Sequence, residues 1–156
     1  IYQQNSEFTE EIKSLIPTHY SARSCFYHYS HMANGNFREY LQGETVRVKK
    51  YFYVLRPVLA MQWIEQRRGV VPMEFETLVN ELIQDQALKT AIRKLLEDKR
   101  RSFESAYLPR IEVISQFIES ELSRFTDKAQ EQPKHDSDFS LLNPLFMKAL
   151  NGEFDS

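Results

Sequence analysis

The run RVKKYFYVLRPVLAMQW, residues 47–63, constrains the fold more than any other part of the chain. A helix drawn through it is apolar on nearly every side, and such a helix is normally buried. The polar exceptions Lys49, Tyr53 and Arg56 are spaced three and four residues apart, so they share one face. Buried cations are costly unless an anion meets them. The run therefore predicts a central helix whose polar face ends in internal salt bridges or at a phosphate-bearing ligand.

Helical periodicity dominates the rest of the chain, and alternating strand patterns are absent. Start and stop signals divide the sequence into segments at 7–15, 22–42, 47–66, 72–82, 86–104 and 109–125. We expect an all-α fold, an antiparallel bundle of about six helices, as a helical domain over residues 1–125. The polar stretch 126–140 is predicted to be a linker, and residues 141–156 a short helical tail.

Composition excludes several classes of protein. The net charge of −2, from 20 basic and 22 acidic side chains, does not indicate a nucleic-acid binder by bulk charge. The single cysteine, Cys25, cannot form an internal disulfide, which fits a reducing cytoplasm. Neither a signal peptide nor a long apolar run is present, so we expect a cytoplasmic protein without a membrane partner.

A second polar stripe, consisting of His28, His31, Gly35 and Arg38, follows one face of the segment 22–42. In one interpretation the histidines pack at the edge of the core and Arg38 pairs with a glutamate. In the other, this stripe converges with the polar face of the central helix. A wall of lysine, arginine, tyrosine and histidine side chains would suit a nucleoside triphosphate, because it offers point charges, a bidentate fork and hydrogen bonds.

Pro57 lies inside the central helix and adds to this second interpretation. Its ring clashes with the carbonyl four residues back and it lacks the N–H that would have bonded it. That carbonyl belongs to Tyr53, on the polar face. A kink there either frees an acceptor beside the cations or only wraps the helix round the core.

Other chemistry is less well supported by the sequence. His28 and His31 are spaced for a shared metal, but no third ligand follows at a telling spacing, so we expect no metal in this chain. Arg23 and His28 fit the Arg-x4-His spacing of small HEPN-type ribonucleases, with Ser24 where those usually carry Asn, Asp or His. The basic residues between 93 and 110 form either a solvated helix face or a patch for an RNA acceptor.

Residues 26–79 and 108–125, and above all KKYFYVLRP followed by Trp-Ile-Glu, resemble the C-terminal half of a bacterial predicted nucleotidyltransferase family. That family belongs to the DNA polymerase beta-like nucleotidyltransferase superfamily. The resemblance implies a two-domain protein. An N-terminal α/β domain would hold a Gly-Ser motif and paired acidic residues that bind Mg²⁺, and a helical domain would close over the nucleotide and the acceptor.

The sequence departs from the family pattern in one respect: no Gly-Ser followed by Asp-x-Asp occurs in it. We therefore expect a C-terminal piece with no catalytic residues, and Mg²⁺ only in the other domain. Its partners would be an NTP, the N-terminal domain, and an RNA or protein acceptor. The predicted phosphate-binding residues are Lys49, Lys50 and Arg56, with Tyr53, His28, His31 and Arg38 toward base, sugar or acceptor. A non-catalytic helical binding or oligomerisation module is the alternative.

Overall fold

The computed structural model describes residues 6–101, 107–128 and 142–151. They form mainly helix, which confirms the broad fold class. The elements are α1 (Ser6–His19), α2 (Ala22–Tyr40), β1 (Thr45–Arg47), α3 (Val48–Glu65), α4 (Phe75–Leu82), α5 (Gln86–Arg101), β2 (Tyr107–Pro109), α6 (Glu112–Lys128) and α7 (Leu142–Leu150).

Several predicted boundaries were wrong. Helix α1 continues through Pro17 to His19 instead of stopping before the proline. The predicted last main helix does not begin at Pro109, because residues 107–109 form a strand and α6 begins at Glu112. The residue before a proline is biased toward extended backbone, which favours strand at Leu108. The start of α5 agrees with the predicted segment 86–104: Asp85 caps it, its carboxylate accepting the Leu88 N–H at 2.8 Å.

The two strands form an antiparallel ribbon that the sequence did not predict. Val46 pairs with Leu108 and Arg47 with Tyr107. Val46 points into the core and is 1% exposed, whereas Arg47 and Tyr107 lie on the exposed side. The ribbon therefore joins the start of α3 to the segment before α6 and presents an arginine–tyrosine pair at the surface.

Helix α3 is the centre of the unit formed by residues 22–133. Its side chains are buried on most faces, as the sequence predicted, and it contacts α2, α4, α5 and α6. The hydroxyl of Tyr51, whose side chain is fully buried, accepts the Ile111 N–H at 2.7 Å. This bond ties the first turn of α3 to Ile111, the residue just before α6. The ribbon and α3 are therefore held together.

The ends of the chain, residues 1–21 and 134–156, form a separate unit. In it α1 contacts α7, where Leu145 is buried and Lys148 lies 4.0 Å from Glu11. Of the predicted linker 126–140, α6 includes the part up to Lys128, and the rest lies outside the described residues. No helix among the described residues is long and apolar enough to cross a membrane.

Candidate functional site

The beginning of α3 carries a concentration of positive charge. Arg47 is the N-cap residue, in extended conformation and without a side-chain capping bond, and Lys49 and Lys50 follow in the first turn. No acidic residue lies in that turn. The N-terminal end of a helix is the positive end of its dipole, which favours anions and disfavours cations. The helix dipole therefore does not account for cations at this end, which instead favours an anion.

The Lys50 ammonium is held between two tyrosine rings. Its nitrogen lies 3.4 Å from the centroid of the Tyr40 ring on α2 and 4.8 Å from that of Tyr53 on α3. Cation–π contacts of this kind orient an ammonium without neutralising its charge. In the described ranges the ammonium of Lys50 has no carboxylate within ion-pair distance. The charge is thus fixed in place and left available to a ligand.

Arg47 is oriented by its partner across the ribbon. Its Nε donates to the hydroxyl oxygen of Tyr107 at 2.7 Å, and its guanidinium carbon lies 5.1 Å from the centroid of the same ring. A guanidinium has five N–H donors in a rigid fork. One donor is used to orient the side chain, and the others can meet a bidentate anion such as phosphate.

These side chains open onto one pocket of about 430 Å³. It is lined by Glu39, Tyr40, Thr45, Arg47, Lys50 and Tyr107. The lining thus brings together two cations, three hydroxyl groups and one carboxylate. Cations with hydroxyl donors in a concave site are suited to a phosphorylated ligand, and the volume lies in the range of small-molecule sites, roughly 300–1,000 Å³.

The polar face of α3 continues from this pocket to Tyr53 and Arg56. Tyr53 is 47% exposed and Lys49 is half-buried. Arg56 uses both terminal nitrogens on the loop before α4, donating to the carbonyls of Met73 at 2.7 Å and Pro72 at 3.2 Å. The sequence predicted that Arg56 would either form an internal salt bridge or bind a phosphate. In the structure its N–H groups instead donate to main-chain carbonyls, and the side chain fixes a loop.

The carbonyl that Pro57 leaves without a helical donor also has a partner. The oxygen of Tyr53 accepts a hydrogen bond from the Asn36 side-chain amide on α2 at 3.5 Å. The same amide donates to the Met32 carbonyl at 2.8 Å. The acceptor that the proline frees therefore connects α3 to α2 at the level of the polar face.

The structure does not bring the α2 stripe to this pocket. Residues of a helix are about 100° apart, so the stripe lies about half a turn from the α2 residues that face α3. Those inward residues include Phe26 and Ala33, both nearly inaccessible. The outward residues His28, His31 and Arg38 are exposed, and Arg38 donates only weakly to its own helix, to the Asn34 carbonyl at 3.4 Å.

Gly35 lies in the middle of the α2 stripe, where the lack of a side chain leaves open space. A Cβ built there meets nothing within 4 Å, so no neighbour approaches it. Arg23 and His28, five residues apart on the same helix, also diverge. The Arg23 guanidinium lies over the Tyr27 ring at 5.3 Å, while the His28 ring packs edge-on against Tyr29 at 5.6 Å. Neither pattern forms a site with the pocket.

Internal ion pairing occurs at the other end of α3. Arg124 of α6 contacts Glu65 at 2.5 Å and Glu121 at 2.7 Å, and Gln62 donates to Glu121 at 2.8 Å. The hydrogen bond to Glu65, followed by that to Glu121, raises the pKa of Arg124 above its usual range. We name Glu65, Glu121 and Arg124 the carboxylate cluster. It closes the α3–α6 interface.

The basic segment of α5 is also partly satisfied within the fold. Arg100 lies 2.6 Å from Glu76 of α4, and Arg93 donates to the side-chain oxygen of Asn80 at 3.2 Å. These contacts fit the interpretation of a solvated face that packs against α4. Where residues are described, no group of three or more histidine, cysteine, aspartate or glutamate side chains could hold a metal.

Sequence reasoning named Lys50 but missed the rest of the pocket lining. Arg47 and Tyr107 come together only through the ribbon, and their residues are 60 positions apart. The contact of the Tyr40 ring with Lys50 joins two different helices and has no signal in the sequence. A basic residue directly before a helix whose first turn lacks acids was the one signal available in the sequence.

Comparison with known proteins adds three findings. The sequence profile of RlaP, the RNA repair pathway DNA polymerase beta family, matches residues 1–148. The Bacillus subtilis (strain 168) protein described as "Uncharacterized protein YcgL" is 41% identical over 151 residues. The alignment covers 96% of this chain and 58% of that relative, so the chain spans less than two thirds of the relative's length. No solved structure matches the chain.

Proposed function

The chain belongs to the RNA repair pathway DNA polymerase beta family, and from that membership we propose that it is the helical, nucleotide-contacting part of a nucleotidyltransferase. Two facts support a further catalytic part. The motif implied by the resemblance, a Gly-Ser followed by Asp-x-Asp, is not in this sequence, and the Bacillus relative is longer than the matched region. The described residues offer no cluster for Mg²⁺. We therefore assign the metal to the other domain and no step through it to this chain.

The phosphate-binding role is carried by one observation: Lys50 and Arg47 converge on one pocket, and the residues that orient them are tyrosines. In the proposed complex these two side chains contact the phosphates of an NTP. Lys49, next to Lys50 in the first turn of α3, adds to the positive potential.

Tyr53 is the proposed contact for the sugar or the base, because it is exposed and adjoins Lys50 along the helix. Arg56 takes a positioning role: it holds the loop at Pro72 and Met73, beside Tyr53 on the same face of α3. We place His28, His31 and Arg38 outside the phosphate site. Their exposed stripe is available to the acceptor or to the N-terminal domain.

The proposed reaction is transfer of a nucleoside monophosphate from an NTP to a hydroxyl of the acceptor. The acceptor hydroxyl gives up its proton to a base of the catalytic domain as its oxygen bonds to the α-phosphorus. The bond from that phosphorus to the oxygen bridging to the β-phosphorus breaks, and pyrophosphate leaves. Cations fixed beside the leaving phosphates stabilise the charge that grows on them. Because tyrosines hold Lys50 and Arg47 in advance, little reorganisation is needed when the nucleotide arrives.

The test is a Lys50→Ala variant of the full-length protein. Loss of a hydrogen bond to a charged phosphate is worth about 1.5–3 kcal/mol, so the ATP dissociation constant should rise by roughly 10- to 150-fold. Lys94→Ala, which removes an exposed lysine of α5, is the matched control and should leave affinity unchanged. Calorimetric titration gives the affinity and thermal melting the stability. An unchanged ATP affinity in Lys50→Ala would exclude the phosphate role.

The second candidate is a helical binding or oligomerisation module without a nucleotide site. The carboxylate cluster and the Arg56 contacts favour it, because both show polar residues of α3 satisfied inside the fold. This module predicts that Lys50→Ala lowers the melting temperature without any effect on ligand binding. The same two measurements therefore separate the candidates.

A further inference from the structure

The carboxylate in the phosphate pocket calls for a physical explanation. Glu39 lines the same pocket as Arg47 and Lys50. Within the described residues, Glu39 makes no hydrogen bond or ion pair, although two cations line the same pocket. A carboxylate near bound phosphate repels it, and that repulsion weakens binding unless the carboxylate contacts another group of the ligand.

The chemistry of that other group follows from the properties of a carboxylate. An ionised glutamate accepts hydrogen bonds and donates none. The ligand must therefore carry hydroxyl or amine donors close to its phosphates. Glu39 lies in the last turn of α2, directly before Tyr40, whose ring holds Lys50. Its side chain lines the same pocket as the cations, just as the sugar of a nucleotide adjoins its phosphates, whereas the exposed Tyr53 ring is suited to the base.

From these contacts we infer that the pocket selects a ribonucleotide, with Arg47 and Lys50 on its phosphates and Glu39 accepting hydrogen bonds from its ribose hydroxyls. This inference rests on the proposed function and names the substrate class of the same site. A site built to hydrogen-bond a hydroxyl discriminates against the analogue that lacks it, because its polar group is then left without a partner. The pocket volume of about 430 Å³ has room for more than a phosphate group.

The experiment compares three ligands on the full-length protein: ATP, 2′-deoxy-ATP and inorganic tripolyphosphate, each titrated without divalent cations so that no turnover occurs. The variants are Glu39→Gln and Arg47→Ala. Glu44→Gln is the matched control, because it makes the same change in net charge a few residues away, at an exposed side chain outside the pocket lining.

The wild-type protein should bind ATP about tenfold more tightly than 2′-deoxy-ATP. Glu39→Gln should remove most of that preference while tripolyphosphate binds equally well or better. Arg47→Ala should weaken all three ligands, and Glu44→Gln should behave as the wild type. Equal changes in all three affinities on Glu39→Gln, or no effect of Arg47→Ala, would overturn the inference.

Failure of the inference and failure of the proposed function give different results. Wild-type binding of ATP and 2′-deoxy-ATP with equal affinity overturns the ribose assignment alone and leaves the phosphate site intact. Absence of binding for all three ligands overturns both. Melting curves for every variant separate a lost contact from a lost fold.

Discussion

The two ends of α3 carry charges of opposite sign, and the groups that contact these charges differ in kind. At the N-terminal end, Arg47 and Lys50 are oriented by tyrosine rings and a phenol oxygen. At the C-terminal end, Glu65 is contacted by the guanidinium of Arg124, which also contacts Glu121. At each end the interaction between side-chain charge and helix dipole is unfavourable, since cations lie at the positive end of the dipole and a carboxylate at its negative end.

This difference separates a structural role from a binding role. The C-terminal charge is compensated by a side chain of the same protein, and the result is an interhelical contact. The N-terminal cations are instead positioned by groups that leave their charge intact. Neither Arg47 nor Lys50 forms an ion pair with a carboxylate of the described residues, which is why we place the nucleotide phosphates at that end and not at the carboxylate cluster.

Removing Arg124 should have the largest effect on stability. Arg124→Ala leaves Glu65 and Glu121 without their shared cation, and their side chains are 24% and 13% exposed. Breaking a fully buried pair costs 3–5 kcal/mol, and since Arg124 is about a third exposed we expect a loss of about 2 kcal/mol. Urea unfolding measures it, with Arg101→Ala at a highly exposed pair as the control. A loss of ATP affinity at unchanged stability would reverse the assignment of the two ends.

Arg56→Ala should cost about 1–2 kcal/mol, because the Met73 and Pro72 carbonyls lose the guanidinium. Arg56→Lys should recover only part of this, since an ammonium lacks the fork that reaches both carbonyls. ATP affinity should change much less than in Lys50→Ala. If it falls as far as in Lys50→Ala with no change in melting temperature, Arg56 belongs to the phosphate site.

Raising the salt concentration should affect the two ends of α3 differently, and this effect should be smaller than those of the substitutions. Between about 0.1 M and 1 M salt the Debye length shortens from roughly 10 Å to 3 Å, so binding at the N-terminal cations, which face an open pocket, should weaken several-fold. The stability difference between wild type and Arg124→Ala should change less, because the carboxylate cluster is partly buried. Titrations and unfolding curves at both salt concentrations test this. Equal salt dependence at both ends would contradict the comparison.

The smallest expected effect concerns Cys25 and alkaline pH. Burial raises the pKa of this thiol above its ordinary value of 9.0. The folded state thus favours the neutral thiol, and the resulting stability is complete below pH 9 and lost as pH rises through the higher folded value. The free energy of unfolding of Cys25→Ala should lack that decline. The pKa of Arg124 is raised as well, so the carboxylate cluster should keep its charge over the same range.

The sequence predicted the central helix well because its signal is local. A run that is apolar on most faces reports burial directly, and the Asp85 cap is encoded by residues three positions apart. The surroundings of the α2 stripe could not be predicted for a physical reason: the spacing of His28, His31 and Arg38 is the same whether the face meets a ligand or solvent. Only the packing of Phe26 and Ala33 decides which way the stripe points.

The pocket was harder to predict because its lining is assembled from distant parts of the chain. A three-residue strand has almost no periodicity to detect, and the pairing of β1 with β2 depends on contacts across 60 positions. Arg47 therefore looked like an ordinary basic residue at the start of a helix. Its orientation by Tyr107 is a product of tertiary structure.

The ribbon and the Tyr51–Ile111 bond together close a long loop that contains α3, α4 and α5. Contacts across so many residues are made only after the chain has lost the entropy of the intervening loop. The pocket therefore exists only in molecules that have completed this closure. A nucleotide bound there would select those molecules and raise their stability by mass action, in proportion to the logarithm of its concentration above its dissociation constant. The amount of nucleotide bound would therefore measure the fraction of molecules in which the ribbon has formed.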